Sequence, residues 1–437
     1  MSEISRRSAL KALGLATASA VVGSSTLKDN LLGGESLSQV FPQIPAEDNL
    51  FPFEGVHQAG ILTDPPDAIL VASLQVIPTT LDGLVQIMKI LTERIRALMA
   101  GQLGPVVDES DQFPPKNTGD MGYDQLNEGH LTILVGLGSS LFIQGGQDRF
   151  GLAAKKPLAL KPMPRDLIGD KLNPDLLDGD ILLEISSDHP LENMHALRDI
   201  LRNTKGLLSP LWMQPGFQRH QKNVPVGQAN VRTVLGFKDG TTNLDVNNDD
   251  LMNTMVWTGT EEPSWAQGGT YMALRLIRES IEHWDRQSLE SQQNSIGRYK
   301  VSGASLDNIT EVQLPDYADD PDGNTVPLDA HIRKANPRLG PESEKRRILR
   351  RGYMYLNGFD KSGLLDGGAI FHAFCRNVEE QFEYIKRNYM TNRNFPKTNT
   401  GVQDLDEYMF AVGGGYFFIP AGVQSDGRFL ADALLLG

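Results

Sequence analysis

A chain of 437 residues is long enough for two domains of about 150–200 residues each. Its net charge of −14 argues against nucleic acid or an anionic membrane surface as a partner. The single cysteine, Cys375, excludes an intrachain disulfide, so stability must come from core burial and any bound cofactor.

The N-terminus reads as an address rather than as structure. Ser5-Arg6-Arg7-Ser8-Ala9-Leu10-Lys11 has the twin-arginine pattern, with Ala9 where a phenylalanine is usual. The apolar run over 12–22 is too short to span a bilayer, and Ala18-Ser19-Ala20 offers a cleavage site. A signal peptide over 1–25 is expected, read by the twin-arginine export machinery and leading to a periplasmic or extracellular destination. That route carries folded proteins, which suits a cofactor inserted beforehand. Residues 26–55 read as a linker.

Residues 68–76 alternate apolar and small side chains and read as a strand. Thr80 caps a helix whose apolar stripe is Leu84, Met88, Leu91, Ile95 and Leu98. Strands follow over 131–135 and 181–185. Asp188 then opens a second helix with Pro190 in its first turn and Leu191, Met194, Leu197 and Leu201 on one face. A short strand over 211–214 completes the order β-α-β-β-α-β, the ferredoxin-like unit. The order then repeats. A strand over 271–277 is followed by a helix from about Ser280 carrying Ile281 and Trp284, then by strands over 352–356 and 369–374. Asn377 with Glu380 caps a helix with the stripe Val378, Phe382, Ile385 and Tyr389, and a strand over 416–419 ends at Pro420. The expectation is an α+β fold of two tandem ferredoxin-like domains related by duplication, the N-terminal one over 56–228 and the C-terminal one over 229–437.

Three stretches carry chemistry. Gly236-Phe237-Lys238-Asp239-Gly240-Thr241-Thr242-Asn243 is a glycine-flanked turn around one carboxylate. An isolated Asp-Gly is usually only a tight turn. The two flanking glycines let the backbone pass close to a bound molecule, and a carboxylate such as Asp239 suits general acid–base work. His331, in Ala330-His331-Ile332-Arg333 ahead of Asn336-Pro337-Arg338, offers a neutral imidazole to a metal, although one histidine of eight is ordinarily a surface or core residue. Arg350 stands in the basic run Lys345-Arg346-Arg347-Ile348-Leu349-Arg350-Arg351. Such runs are usually solvated. Here the preceding apolar pair and the strand-like Gly352-Tyr353-Met354-Tyr355 turn one arginine inward, where a fixed cation stabilises developing negative charge. Cys375 ends the apolar run 369–374 and reads as a buried, inert thiol.

Together these motifs resemble those of dye-decolourising (DyP-type) haem peroxidases, specifically the exported, deferrochelatase/peroxidase-like bacterial branch. Glu54-Gly55-Val56-His57-Gln58-Ala59-Gly60, Ile296-Gly297-Arg298 and Ser302-Gly303-Ala304 share in the likeness, which covers nearly the whole mature chain. The resemblance implies a fold of the dimeric α+β barrel type and a haem b; with no Cys-x-x-Cys-His present, no thioether bonds would hold it. It makes His331 the axial iron ligand, with His189 and His372 the next to test. It makes Asp239 the proton shuttle for hydrogen peroxide. Arg350, selected over Arg351 by its spacing from His331, would steady O–O cleavage. Gly236, Phe237, Lys238, Gly240 and Arg333 would lie beside the cofactor. Glu407, ahead of Gly413-Gly414-Gly415-Tyr416-Phe417-Phe418, is nominated as the carboxylate on the other imidazole nitrogen, with Asp404 and Asp406 close by. Some relatives carry an Asn two residues after the Arg; here that position is Gly352. The implied activity is peroxide-dependent oxidation of dyes or other organic donors; whether surface Tyr or Trp residues, such as Trp212 or Trp265, relay electrons to bulky substrates stays open. Iron release from haem with iron-uptake partners, and a homo-oligomer, stay open. So does a chlorite-decomposing haem enzyme, against which the Asp239 turn argues.

Overall fold

The structure is a computed structural model that describes residues 50–122, 129–219, 231–425 and 427–437. The expected signal peptide, and the linker up to residue 49, lie outside the described residues.

The first repeat begins with β1 (Ala68–Val76), buried on both faces, which is why it is apolar almost throughout. Helix α1 (Leu81–Met99) starts where the Thr80 hydroxyl accepts the Gly83 N–H at 3.2 Å, and it buries Leu84, Met88, Leu91, Ile95 and Leu98. Strands β2 (Thr132–Gly138) and β3 (Ile181–Ser187) follow. Helix α2 (Pro190–Asn203) is capped by His189, whose ring nitrogen accepts the Leu191 N–H. Strand β4 (Leu208–Phe217) is longer than expected and runs through Pro210 and Pro215. Prolines are tolerated there because one edge is almost unpaired: among the described residues, only Phe217 pairs towards the second repeat, with Met354.

The second repeat supplies β5 (Thr270–Glu279), β6 (Leu349–Phe359), β7 (Leu365–Cys375) and β8 (Met409–Ile419). The helix expected from Ser280 is instead a single turn, Ile281–Trp284, followed by α3 (Leu289–Ile296). The helix after Asn377 has wide, π-type turns over Glu379–Glu383 and Ile385–Met390. Its cap shifts accordingly: Asn377 accepts from the Glu379 and Glu380 N–H groups, and the reciprocal bond comes from Gln381, not Glu380.

Both repeats order their strands as fourth-first-third-second, the ferredoxin-like arrangement. The two sheets meet edge to edge in a closed eight-stranded barrel, β1-β3-β2-β8-β5-β7-β6-β4, antiparallel throughout. The β2–β8 seam pairs Gly138 with Phe417 and Leu137 with Phe418. Val71, Leu182, Leu274, Ile370 and Phe417 belong to one core cluster, while α1 packs its stripe into the other large one. The described chain from Leu50 onward is one compact unit. The outer face of the second repeat's sheet is left for the site.

Candidate active site

The Asp239 turn is held by its backbone. Gly236 and Gly240 have φ of +84° and +92°, which side chains disfavour. The Asp239 N–H donates to Val231 O at 3.0 Å, and the Gly240 N–H donates to Asp239 Oδ1 at 2.8 Å. Asn243 clamps the turn to β6: its amide donates to Arg350 O at 2.7 Å and its Oδ1 accepts the Arg350 N–H at 2.9 Å. The Arg350 side chain is thereby brought to the turn, with Nη2 donating to Thr241 O at 2.9 Å and Nη1 3.7 Å from Asp239 Oδ1. Gly352 makes room, since a Cβ there would lie 2.8 Å from Asp239 Oδ2.

His331 begins a short helix, α4 (His331–Ala335). Its Nδ1 lies 2.9 Å from Gln403 Oε1, and the Gln403 amide nitrogen donates to Asp406 Oδ1 at 2.6 Å. These contacts settle the proton positions by elimination. A carboxylate only accepts, so Asp406 must face the NH₂ of Gln403. Oε1 then faces the ring, so Nδ1 carries the hydrogen and Nε2 keeps its lone pair. Burial pushes the His331 pKa down, which keeps the imidazole neutral. His331, Asp239 and Arg350 line one cavity, with Phe237, Lys238, Gly240, Ile277, Phe371 and Met409 among its walls.

Three expected cofactor contacts, Arg333, Glu407 and Gly236, are corrected. Arg333 is two residues from His331 on a helix and so faces the other way. It is buried against Asp320, 3.2 Å away, and Val326 O, not in the cavity. Glu407 is exposed, and Gln403 holds the place nominated for it. Gln403 is the N-cap of the 3₁₀ turn Asp404–Glu407, and its amide reaches Asp406 within that turn. Asp404 turns to Ser295. Gly236 shapes the loop without lining the cavity. His189 is an exposed helix cap, and His372 lies fully buried among the inward-facing barrel residues. Cys375 is buried, with its thiol pKa pushed up by burial. Trp212 and Trp265 are buried rather than at the surface, with indole N–H groups bonded to Asp178 O and Lys155 O.

The sequence reading missed Gln403, because nothing local prefers an amide over three neighbouring carboxylates. It also missed Glu279, a buried acid lining the cavity. Its pKa is pushed up to about 8 by burial and then by the Asp239 charge.

Haem fits this donor set. One imidazole with a free lone pair suits an iron whose equatorial ligands a macrocycle supplies. The apolar walls suit the ring. Arg338 lines the cavity with a buried Nε that has no hydrogen-bond partner among the described residues, a donor for an acidic substituent.

The comparisons agree with that fit. The family model "Dyp-type peroxidase, N-terminal" matches residues 58–218, and "Dyp-type peroxidase, C-terminal" matches 230–424. The chain is 39% identical over 386 residues to a deferrochelatase of Yersinia pseudotuberculosis, covering 88% of this chain and 84% of that protein. It is 37% identical over 437 residues to a deferrochelatase of Escherichia coli, covering 100% and 98%. A solved DyP-type peroxidase from Cellulomonas bogoriensis is similar with a TM-score of 0.75 at 30% identity, covering 89% of this chain and 99% of that one. Ferric DtpA from Streptomyces lividans gives 0.74 at 27%, covering 89% and 97%. Both halves match one family in order, around a cavity suited to haem: the chain belongs to the Dyp-type peroxidase family and is a haem peroxidase.

Proposed function

We propose that this peroxidase binds haem b through His331, uses Asp239 and Arg350 on hydrogen peroxide, and draws electrons from an organic donor. One observation carries the reading: Asp239 and Arg350, 3.7 Å apart, share a cavity with an imidazole whose Nε2 keeps its lone pair. Bound haem would supply the redox chemistry. The chain supplies the proton handling. Asp239 Oδ1 is occupied by the Gly240 N–H, so Oδ2 takes a proton from one peroxide oxygen and returns it to the other, which leaves as water. Arg350 is held by Thr241 O and offers its charge to the departing oxygen without having to reorganise.

The test is spectroscopic. The isolated protein should show a Soret band, and His331→Ala should lose most bound haem or change its coordination. A variant with the wild-type spectrum would remove His331 as ligand.

The twin-arginine run supports export to the periplasm or beyond. Replacing Arg6 and Arg7 together by Lys should retain the protein in the cytoplasm, and normal export of that variant would refute the reading. The name of the deferrochelatase relatives supports a second reading, iron release from haem. Iron-free porphyrin should then appear after anaerobic incubation with haem; its absence would leave peroxidation alone.

A further inference from the structure

Between His331 and the Asp406 carboxylate stands a neutral side chain. Gln403 reaches the ring at 2.9 Å and Asp406 at 2.6 Å. Asp406 Oδ1 also accepts from Lys386 Nζ at 3.3 Å, and the two side chains are only 9% and 13% exposed. Beyond them lies the Asp170–Arg275 pair at 2.5 Å, each side chain 4% exposed, and the Asp170 carboxyl feels the charges of both Asp406 and Lys386. His331 thus stands at the end of a row of buried charges, linked to it by one amide.

An amide cannot take the imidazole proton, but it can pass on polarisation. A carboxylate at its NH₂ end makes its oxygen a stronger acceptor, and hydrogen bonds in series reinforce one another in a low dielectric. Lys386 draws on the same carboxylate oxygen and opposes that effect. We propose that Gln403 is a positioning residue that relays the charge balance of Asp406 and Lys386 to His331, so that these two side chains tune the bound haem's reduction potential in opposite directions. The inference rests on His331 as the axial ligand. A stronger acceptor at Nδ1 raises the basicity of the ligand nitrogen and favours the oxidised metal. Removing Lys386 therefore lowers the potential, and removing the Asp406 charge raises it.

The experiment is a potentiometric titration of the haem-loaded full-length protein, alongside the ferrous iron–imidazole stretching frequency. Lys386→Met should lower the midpoint and raise the frequency. Asp406→Asn should do the reverse. The Lys386→Met shift should shrink in a Gln403→Leu background, which breaks the relay. Lys386→Arg keeps the charge and should keep the wild-type potential. Shifts of one sign, no shifts, or a Lys386→Arg shift like that of Lys386→Met would overturn the tuning. A Lys386→Met shift undiminished by Gln403→Leu would overturn the relay, because the charge would then act through space. An iron–imidazole signal surviving in His331→Ala would instead sink the ligand assignment itself.

Discussion

Asp239 and Arg350 lower the barrier to one bond cleavage by different means, and their energetic scales overlap. Losing a positioned proton shuttle costs on the order of 10²–10⁴ in rate. Losing a preorganised charged donor costs roughly 10²–10³. At least one of Asp239→Asn and Arg350→Leu, each retaining haem, should therefore lower kcat/KM for peroxide by about 10²-fold or more. Wild-type kinetics in both would place the catalytic groups elsewhere in the cavity. The motifs that resemble the family's carry these two residues and His331 into one cavity. Side-chain direction was less legible. Arg333 sits in the same motif as His331 and still turns away, because helix phase rather than proximity in sequence decides which face a residue takes.

Among the elements, the loop–strand join at Asn243 shows how a polar side chain substitutes for regular pairing. Its two bonds to Arg350, 2.7 and 2.9 Å, tie an irregular turn to the first residues of β6. Asn243→Ala removes both and leaves the Arg350 backbone groups without these partners, a loss of about 1–3 kcal/mol. Urea unfolding should register that loss, and kcat/KM for peroxide should fall as the Asp239 turn loosens. If stability and kcat/KM both matched the wild type, the clamp would not be what positions the turn. Local patterns found most elements because periodicity and caps are local signals: the α1 stripe and the Thr80 cap are as expected. The wide turns after Asn377 were not legible, since a π-type turn keeps the same apolar spacing over a few residues.

At the scale of the molecule, closing the barrel buries charge as well as apolar surface. Glu184 and His372 lie inside, with Oε2 and Nδ1 3.6 Å apart and both side chains at most 1% exposed. Burial pushes the Glu184 pKa up to about 7, with Arg351 opposing, and pushes the His372 pKa down to about 3, assisted by Arg351. The signs differ. The raised Glu184 value means that its stabilising contribution is full below its ordinary 4.5 and is lost as pH rises through 7. The lowered His372 value gives a contribution present above its ordinary 6.5 and lost as pH falls towards 3. Glu184→Gln isolates the first effect. Its stability relative to wild type should improve between pH 5 and pH 8 by on the order of 2 kcal/mol, read from urea midpoints. A difference that did not change with pH would mean that Glu184 is not held protonated by the barrel.

By itself the sequence determined the repeated β-α-β-β-α-β order, and with it which residues stand at strand starts and loop tips. Hydrophobic period, caps and turn residues act over a few positions, so they are written locally. Only the tertiary structure decided that the two sheets close on each other, through β2–β8 and β4–β6 pairings between strands far apart in the chain. Only it decided that an amide, not Glu407, meets His331. Both outcomes depend on which edges and faces remain open once the rest has packed, and neighbours in sequence carry no record of that.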